Sequence, residues 1–253
     1  MNAHDRKQTE LQKLLHFLQV KEEETFTFLE KLTKDELQQL RLQIIGISHL
    51  EQTDIWKRLT GVSRFMPNFM NAKVAETVLG PLIAANMSYH MPERDAIAIM
   101  RHMSISFLAT VSDFMTPENA RNLINQIPMD ILKKVTAELV RTKKFVTAAG
   151  FVDVSDVSRL VELSKIISSE EDLIRISSFV ENKGYIAKIV EGFDDSRLKR
   201  IINVAYQFDM QEEVLTVFTH LSNKEVQRVL RIINTLPDVM RDKVLIDFET
   251  RIN

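Results

Sequence analysis

The stretch "VRTKKFVTAAGFVD", residues 140–153, is nearly repeated at 180–194 as "VENKGYIAKIVEGFD". Val140 answers to Val180, Lys143 to Lys183, Phe145 to Tyr185 and Val146 to Ile186, all at an offset of 40. One inserted residue then brings Gly150-Phe151-Val152-Asp153 against Glu191-Gly192-Phe193-Asp194. Read alone, "FVTAAGFVDV" is rich enough in Val, Phe and Gly to suit a β-strand. Its counterpart "YIAKIVEGFDD" carries Ala187, Lys188 and Glu191 and reads as helix. Two copies of one phrase share a fate, so both are predicted helices, stopped by a left-handed glycine at Gly150 or Gly192.

Around this phrase a second pattern recurs. An apolar residue precedes a capping residue, mostly polar residues follow, and an apolar triplet comes next. Met115-Thr116 leads to Ala120, Leu123 and Ile124, and Val152-Asp153 leads to Val157, Leu160 and Val161. Phe193-Asp194 leads to Leu198, Ile201 and Ile202, and Leu221-Ser222 to Val226, Val229 and Leu230. A looser copy runs from Met91 to Met100, with Pro92 at the cap position. A Thr, Asp or Ser there accepts an orphan N–H of the first turn, and the apolar residue before it can staple onto the first inner position. Pro117, just after Thr116, loses nothing by lacking an N–H.

A third phrase supplies the partner helix. "LINQIPMDILKKV" (123–135) resembles "IINTLPDVMRDKV" (232–244), with Asn125, Pro128 and Val135 matching Asn234, Pro237 and Val244. Each is a helix end, a proline turn and a new helix. A helix pair of this length cannot bury its apolar stripe alone, whereas stacked pairs bury a continuous core, so the chain is predicted to be an all-α solenoid.

Before the array, Leu11, Leu14, Leu15 and Leu18 mark one helical face, interrupted at Glu22 and Thr25, which favours helices packed on a body over a coiled coil. Thr33 and Glu36 form a capping box that predicts a helix from about 34 to 45, ending near Gly46. Trp56 is placed on a short helix at 53–60, and a helix is expected to restart near Asn71 after Pro67, with Val74, Val78 and Leu79 facing inward. The organisation expected is an N-terminal helical region, 1–78, packing on a repeat array, 79–253.

Bulk composition sets limits. A chain of 253 residues with 45% hydrophobic and 27% charged residues is ordinary for a globular protein, and only 6 Gly and 6 Pro suit a helical one. With 33 basic and 35 acidic residues the net charge is −2, which argues against a dedicated nucleic-acid binder. No cysteine is present, which excludes disulfides, thiolate nucleophiles and Cys-based metal centres. "MNAHDRKQTELQK" lacks an apolar signal core, and the most apolar run, "VLGPLIAANM", is far short of the ~20 residues that span a bilayer. The reading is a soluble, cytoplasmic protein.

The phrase "MTPENARNLINQIPMDIL" resembles the short helical repeats of the cytosolic N-terminal domain of MgtE-type magnesium transporters, and the middle domain of the flagellar switch protein FliG uses similar units. The likeness spans roughly residues 80–250. It implies a right-handed α-superhelix that works through its surfaces. Transporters of that family continue into CBS domains and a membrane channel, neither of which this chain contains, so the resemblance implies no transport by this chain. It transfers no metal ligands either.

The candidates for chemistry are few. Glu170, Glu171 and Asp172, with Asp194 and Asp195, are the acidic positions considered for weak Mg²⁺ binding. Against this, acidic residues in a first turn complement the helix dipole, and Asp194 is already spent as a cap. The six histidines show no His-x-x-x-His spacing, and no Gly-x-Ser-x-Gly, P-loop or dinucleotide fingerprint occurs. An enzyme is therefore not expected, and no cofactor is implied. Basic residues recur at equivalent points, and Arg141, Lys143, Lys144, Lys183, Arg197 and Arg200 are the expected contact surface for a protein partner. Of the 11 methionines, most sit at helical spacing and are assigned to the core, while Met66, Phe69 and Met70 around Pro67 are expected to form an exposed apolar edge. The function expected is a non-enzymatic scaffold or adaptor. The alternative is a soluble Mg²⁺ or small-ligand sensor acting by a change of curvature, and self-association is open to either.

Overall fold

The computed structural model describes residues 3–18, 29–50, 57–58, 60–61 and 63–252, and among these the chain is helical, with no strand. Two compact units divide between Ser155 and Asp156. The N-terminal unit contains α1 (Ala3–Phe17), α2 (Lys34–Leu50), α3 (Asn68–Val74), a π-helical segment (Ala75–Leu79) and α4 (Gly80–Ser88). It continues through α5 (Glu93–Met100), α6 (Ile105–Asp113), α7 (Pro117–Gln126), α8 (Met129–Arg141) and α9 (Phe145–Val152). The C-terminal unit contains α10 (Val157–Ser164), α11 (Glu170–Phe179), α12 (Lys183–Glu191) and α13 (Asp195–Gln207). It closes with α14 (Gln211–Phe218), α15 (Asn223–Ile233) and α16 (Asp238–Ile252).

Within each unit every helix of the array packs on the next but one: α3 on α5, α4 on α6 and so on to α7 on α9, then α10 on α12 through to α14 on α16. The apolar triplets supply this contact. Ala120, Leu123 and Ile124 are buried, as are Leu198, Ile201 and Ile202, while Val229 is buried beside the half-buried Val226 and Leu230. Fully burying each such aliphatic side chain contributes about 1.5–3 kcal/mol. α1 packs on α2 through Leu11, Leu14, Leu29 and Leu37, with Leu15, Leu32, Leu40 and Ile44 around them.

The starts predicted at Pro92, Thr116, Asp194 and Ser222 hold. Pro92 and Pro128 occupy the N-cap positions of α5 and α8, and Pro117 opens α7. The Thr33–Glu36 box forms: Glu36 accepts the Thr33 N–H at 2.7 Å, and Thr33 Oγ1 accepts the Glu36 N–H at 3.3 Å. Asp194 accepts the Arg197 N–H at 2.7 Å, whereas Thr116 and Ser222 occupy N-cap positions without a side-chain cap bond.

Several expectations are corrected. Asp153 is the C-cap of α9, and α10 begins one turn later behind Asp156. Val154 is drawn into the core with Ala120 and Ile124, and Ser155 donates to the Phe151 carbonyl at 2.7 Å, so the turn cannot open at Asp153. Neither glycine stops a helix left-handed: Gly150 lies inside α9, and Gly192 has φ −82°. The described left-handed residues are Gly80, Lys143 and Asp209. Gly150 is required by close approach instead, because a Cβ there would stand 2.7 Å from Pro117 Cγ on α7. α2 runs through Gly46 to Leu50, since one interior glycine costs only about 1 kcal/mol. α3 begins at Asn68, three residues early, because the Pro67 carbonyl accepts the N–H groups of Met70 and Asn71 at 2.9 and 3.1 Å. Trp56 lies outside the described residues.

Candidate functional site

The six basic positions fall in both units: Arg141, Lys143 and Lys144 in the first, Lys183, Arg197 and Arg200 in the second. Arg141 is exposed and bound bidentate to Glu138, with both N···O distances 2.7 Å. Exposed Lys143, at φ 59°, holds its ammonium 5.6 Å from the Phe145 ring. Lys144 is paired with Asp113. Lys183 donates to the carbonyls of Ser177 and Ser178 at the end of α11 and lies 3.8 Å from Glu213. Arg197 donates to the Ile167 carbonyl and stacks 4.5 Å from the Phe193 ring. Arg200 binds Glu170 at 2.7 Å. Arg228 likewise donates to the Phe193 carbonyl. Lys183, Arg197 and Arg228 thus have an internal use: each donates to a carbonyl at or just beyond the end of a preceding helix.

The acidic candidates are similarly occupied. Glu170 is buried against Arg200 and 3.9 Å from Arg197, Glu171 pairs with Arg175 at 2.8 Å, and Asp195 pairs with Arg228 at 2.7 Å. Asp172 is buried in the first turn of α11. No group of three His, Asp or Glu side chains is placed to hold a metal among the described residues.

A different site is built in the N-terminal unit. Pro67 starts α3, and buried Asn71 donates through Nδ2 to the Ser63 and Met66 carbonyls at 2.8 and 3.1 Å, pinning the preceding turn against it. The helix then widens into the π segment, and the chain breaks at Gly80, where φ 78° and ψ 172° are open essentially only to glycine. Pro81 follows, and its missing N–H prevents the preceding ladder from continuing. Widening the turn moves side chains off the 3.6-residue register. Val74 and Leu79 stay half-buried as expected, but Val78 is turned outward. With Phe65 (90% exposed), Phe69 (60%), Met70 (44%), Val78 (73%) and Leu82 (53%), one short region presents a run of large apolar side chains to solvent.

Behind this edge lies a cavity of about 240 Å³, walled by α3 to α6 and the π segment. Met66, Met87, Met91, Met100 and Met103 line it, together with the small residues Ala75, Ala84 and Ala96. Its side-chain donors are committed: Ser63 donates to the Thr60 carbonyl at 2.8 Å, Ser88 to that of Ala85 at 2.7 Å, and Asn71 as above. Among the described residues no titratable side chain lines it. At its rim Glu76 accepts the Ser104 N–H at 2.6 Å, a bond that holds the Glu76 carboxyl below the usual carboxylate range. Tyr89 accepts the Thr116 N–H at 2.6 Å, and burial pushes its phenol up to about 12.

Methionine density between Met66 and Met115 was the signal for this site. Spacing assigned those side chains to the core, and Met87 and Met100 are buried, but they border a void instead of filling one.

One polar cluster had no sequence signal. Thr147 Oγ1 donates to Asp113 at 2.7 Å, Lys144 pairs with the same carboxylate, and His16 Nε2 lies 3.1 Å from Thr147 Oγ1. The threonine proton points to Asp113, so His16 is placed to donate to the hydroxyl and not to activate it. Burial holds the His16 imidazole below its ordinary value; Asp113 opposes the shift and Lys144 adds to it.

No protein-family model, no curated protein and no solved structure matches this chain.

Proposed function

We propose that this chain is a non-enzymatic cytoplasmic scaffold or adaptor that grips a protein partner. The observation that carries the reading is the exposed apolar edge formed by Phe65, Phe69, Met70, Val78 and Leu82. Scattered apolar residues are normal on a surface, but a local run of this size marks an interaction site. Arg141 and Lys143, also exposed in this unit, are the polar contacts assigned to the partner. The repeats are read as a right-handed α-superhelix of the kind found in MgtE-type N-terminal domains. The next-but-one packing inside each unit and the recurring caps support that reading.

The test is recovery of the tagged chain from its own cells, with and without magnesium. A near-stoichiometric protein that is lost from Phe65→Ser/Phe69→Ser and weakened by Arg141→Glu/Lys143→Glu is the expected outcome. Equal recovery by the wild type and the serine variant overturns the edge as the contact surface. A chain that retains no protein but melts higher in magnesium replaces the adaptor with the sensor.

A further inference from the structure

We propose that the methionine-lined cavity between α3 and α6 binds a neutral, apolar small molecule of about ten carbon atoms. The size follows from volume. An engineered apolar cavity of about 150 Å³ accepts benzene, and this one measures about 240 Å³. Protein interiors rarely leave apolar spaces of this size, and this one, partly open to the surface, has both room and a route of entry for a guest. Water is a poor one, because it needs two to four polar partners and the Ser63, Asn71 and Ser88 donors are already committed to backbone carbonyls.

The wall also sets the chemical class. Among the described residues no acid or base lines the space, and the donors of Ser63, Asn71 and Ser88 are committed, so an ionised head group drawn inside would be desolvated without compensation. Met66, Met91 and Met103 are half-buried, and their unbranched, polarizable side chains can adjust around a slender apolar guest. One wall of the space is the α3–π–α4 run, interrupted by the π segment and the positive φ at Gly80. This inference is independent of the adaptor reading, whose contact residues are exposed and do not line the cavity.

The experiment is calorimetric titration of the intact chain with 1-decanol and with decanoate at pH 8, paired with thermal melts. One saturable decanol site and a melting temperature raised by a few degrees are expected, with decanoate at least tenfold weaker. Ala96→Phe fills the space, and is expected to melt at or above the wild type while losing at least tenfold in decanol affinity. If Ala96→Phe does not fold, Ala84→Leu is read in its place. Absence of saturable decanol binding, equal binding by the filled variant, or decanoate binding as tightly as decanol each overturns the proposal. Phe65→Ser/Phe69→Ser keeps decanol binding, which separates failure of the cavity from failure of the edge.

Discussion

The two copies of the duplicated phrase fold to the same helix but anchor it differently. In the first, Lys143 turns the chain left-handed between α8 and α9, Gly150 lets α9 press on Pro117, and Thr147 reaches Asp113 and His16. In the second, Asn182 caps α12 through the Gly184 N–H at 3.1 Å, the position of Thr147 is taken by buried Ala187, and Phe193 is buried beneath the Arg197 guanidinium. Equal phrases thus specify equal helices, while the neighbours each helix meets decide which residues become indispensable.

Truncating the aromatic residue is expected to separate the copies most. Phe193→Ala should cost about 3–5 kcal/mol, as buried aromatics do, and Phe151→Ala, at a half-buried position, clearly less. Urea unfolding of both variants checks this, and equal losses would erase the distinction. Next come the glycines. Gly150→Ala should destabilise by about 1–3 kcal/mol because the added methyl meets Pro117, reversing the usual gain of alanine in a helix. Gly192→Ala, whose nearest contacts are 3.3 Å and longer, should stay within about 0.5 kcal/mol.

The caps differ by a smaller amount. Asp194→Ala should lose about 1 kcal/mol, the value of an N-cap carboxylate bond, with Asp153→Ala losing less because Asp153 starts no helix. The smallest effect is a pH dependence confined to the first copy's surroundings. The folded His16 imidazole sits below 6.5, so below that pH the unfolded chain binds the proton more readily. Stability is therefore full above 6.5 and declines as pH falls from 6.5 toward the lowered folded value. Thermal melts between pH 8 and 5 should show this decline, flattened in His16→Gln; an unchanged slope in that variant would remove Thr147–His16 as its source.

Much of the fold was legible because its signals are short. A cap bonds three residues ahead, a proline rules out one hydrogen bond, and apolar spacing repeats every three or four residues. Pro92, Pro117, Pro128 and Asp194 therefore mark helix starts correctly. Asp153 carries the same downstream spacing as Asp194 and fails, because Val154 finds a core with Ala120 and Ile124 more than 25 residues away in sequence. The site was half legible. Phe69 and Met70 announced an apolar edge around Pro67, whereas Met66, expected on it, is half-buried and lines the cavity, and the outward turn of Val78 depends on a π segment that no periodicity encodes. The basic recurrence was visible too, yet its use in clasping carbonyls such as that of Ile167, 30 residues from Arg197, was not.

By itself the sequence determined that this protein is a chain of short amphipathic helices. Only the tertiary structure decided which cations are consumed inside the protein, which glycine is needed for contact, and that the methionines line a space. Those outcomes depend on distances between atoms of separate helices, and no local pattern contains them.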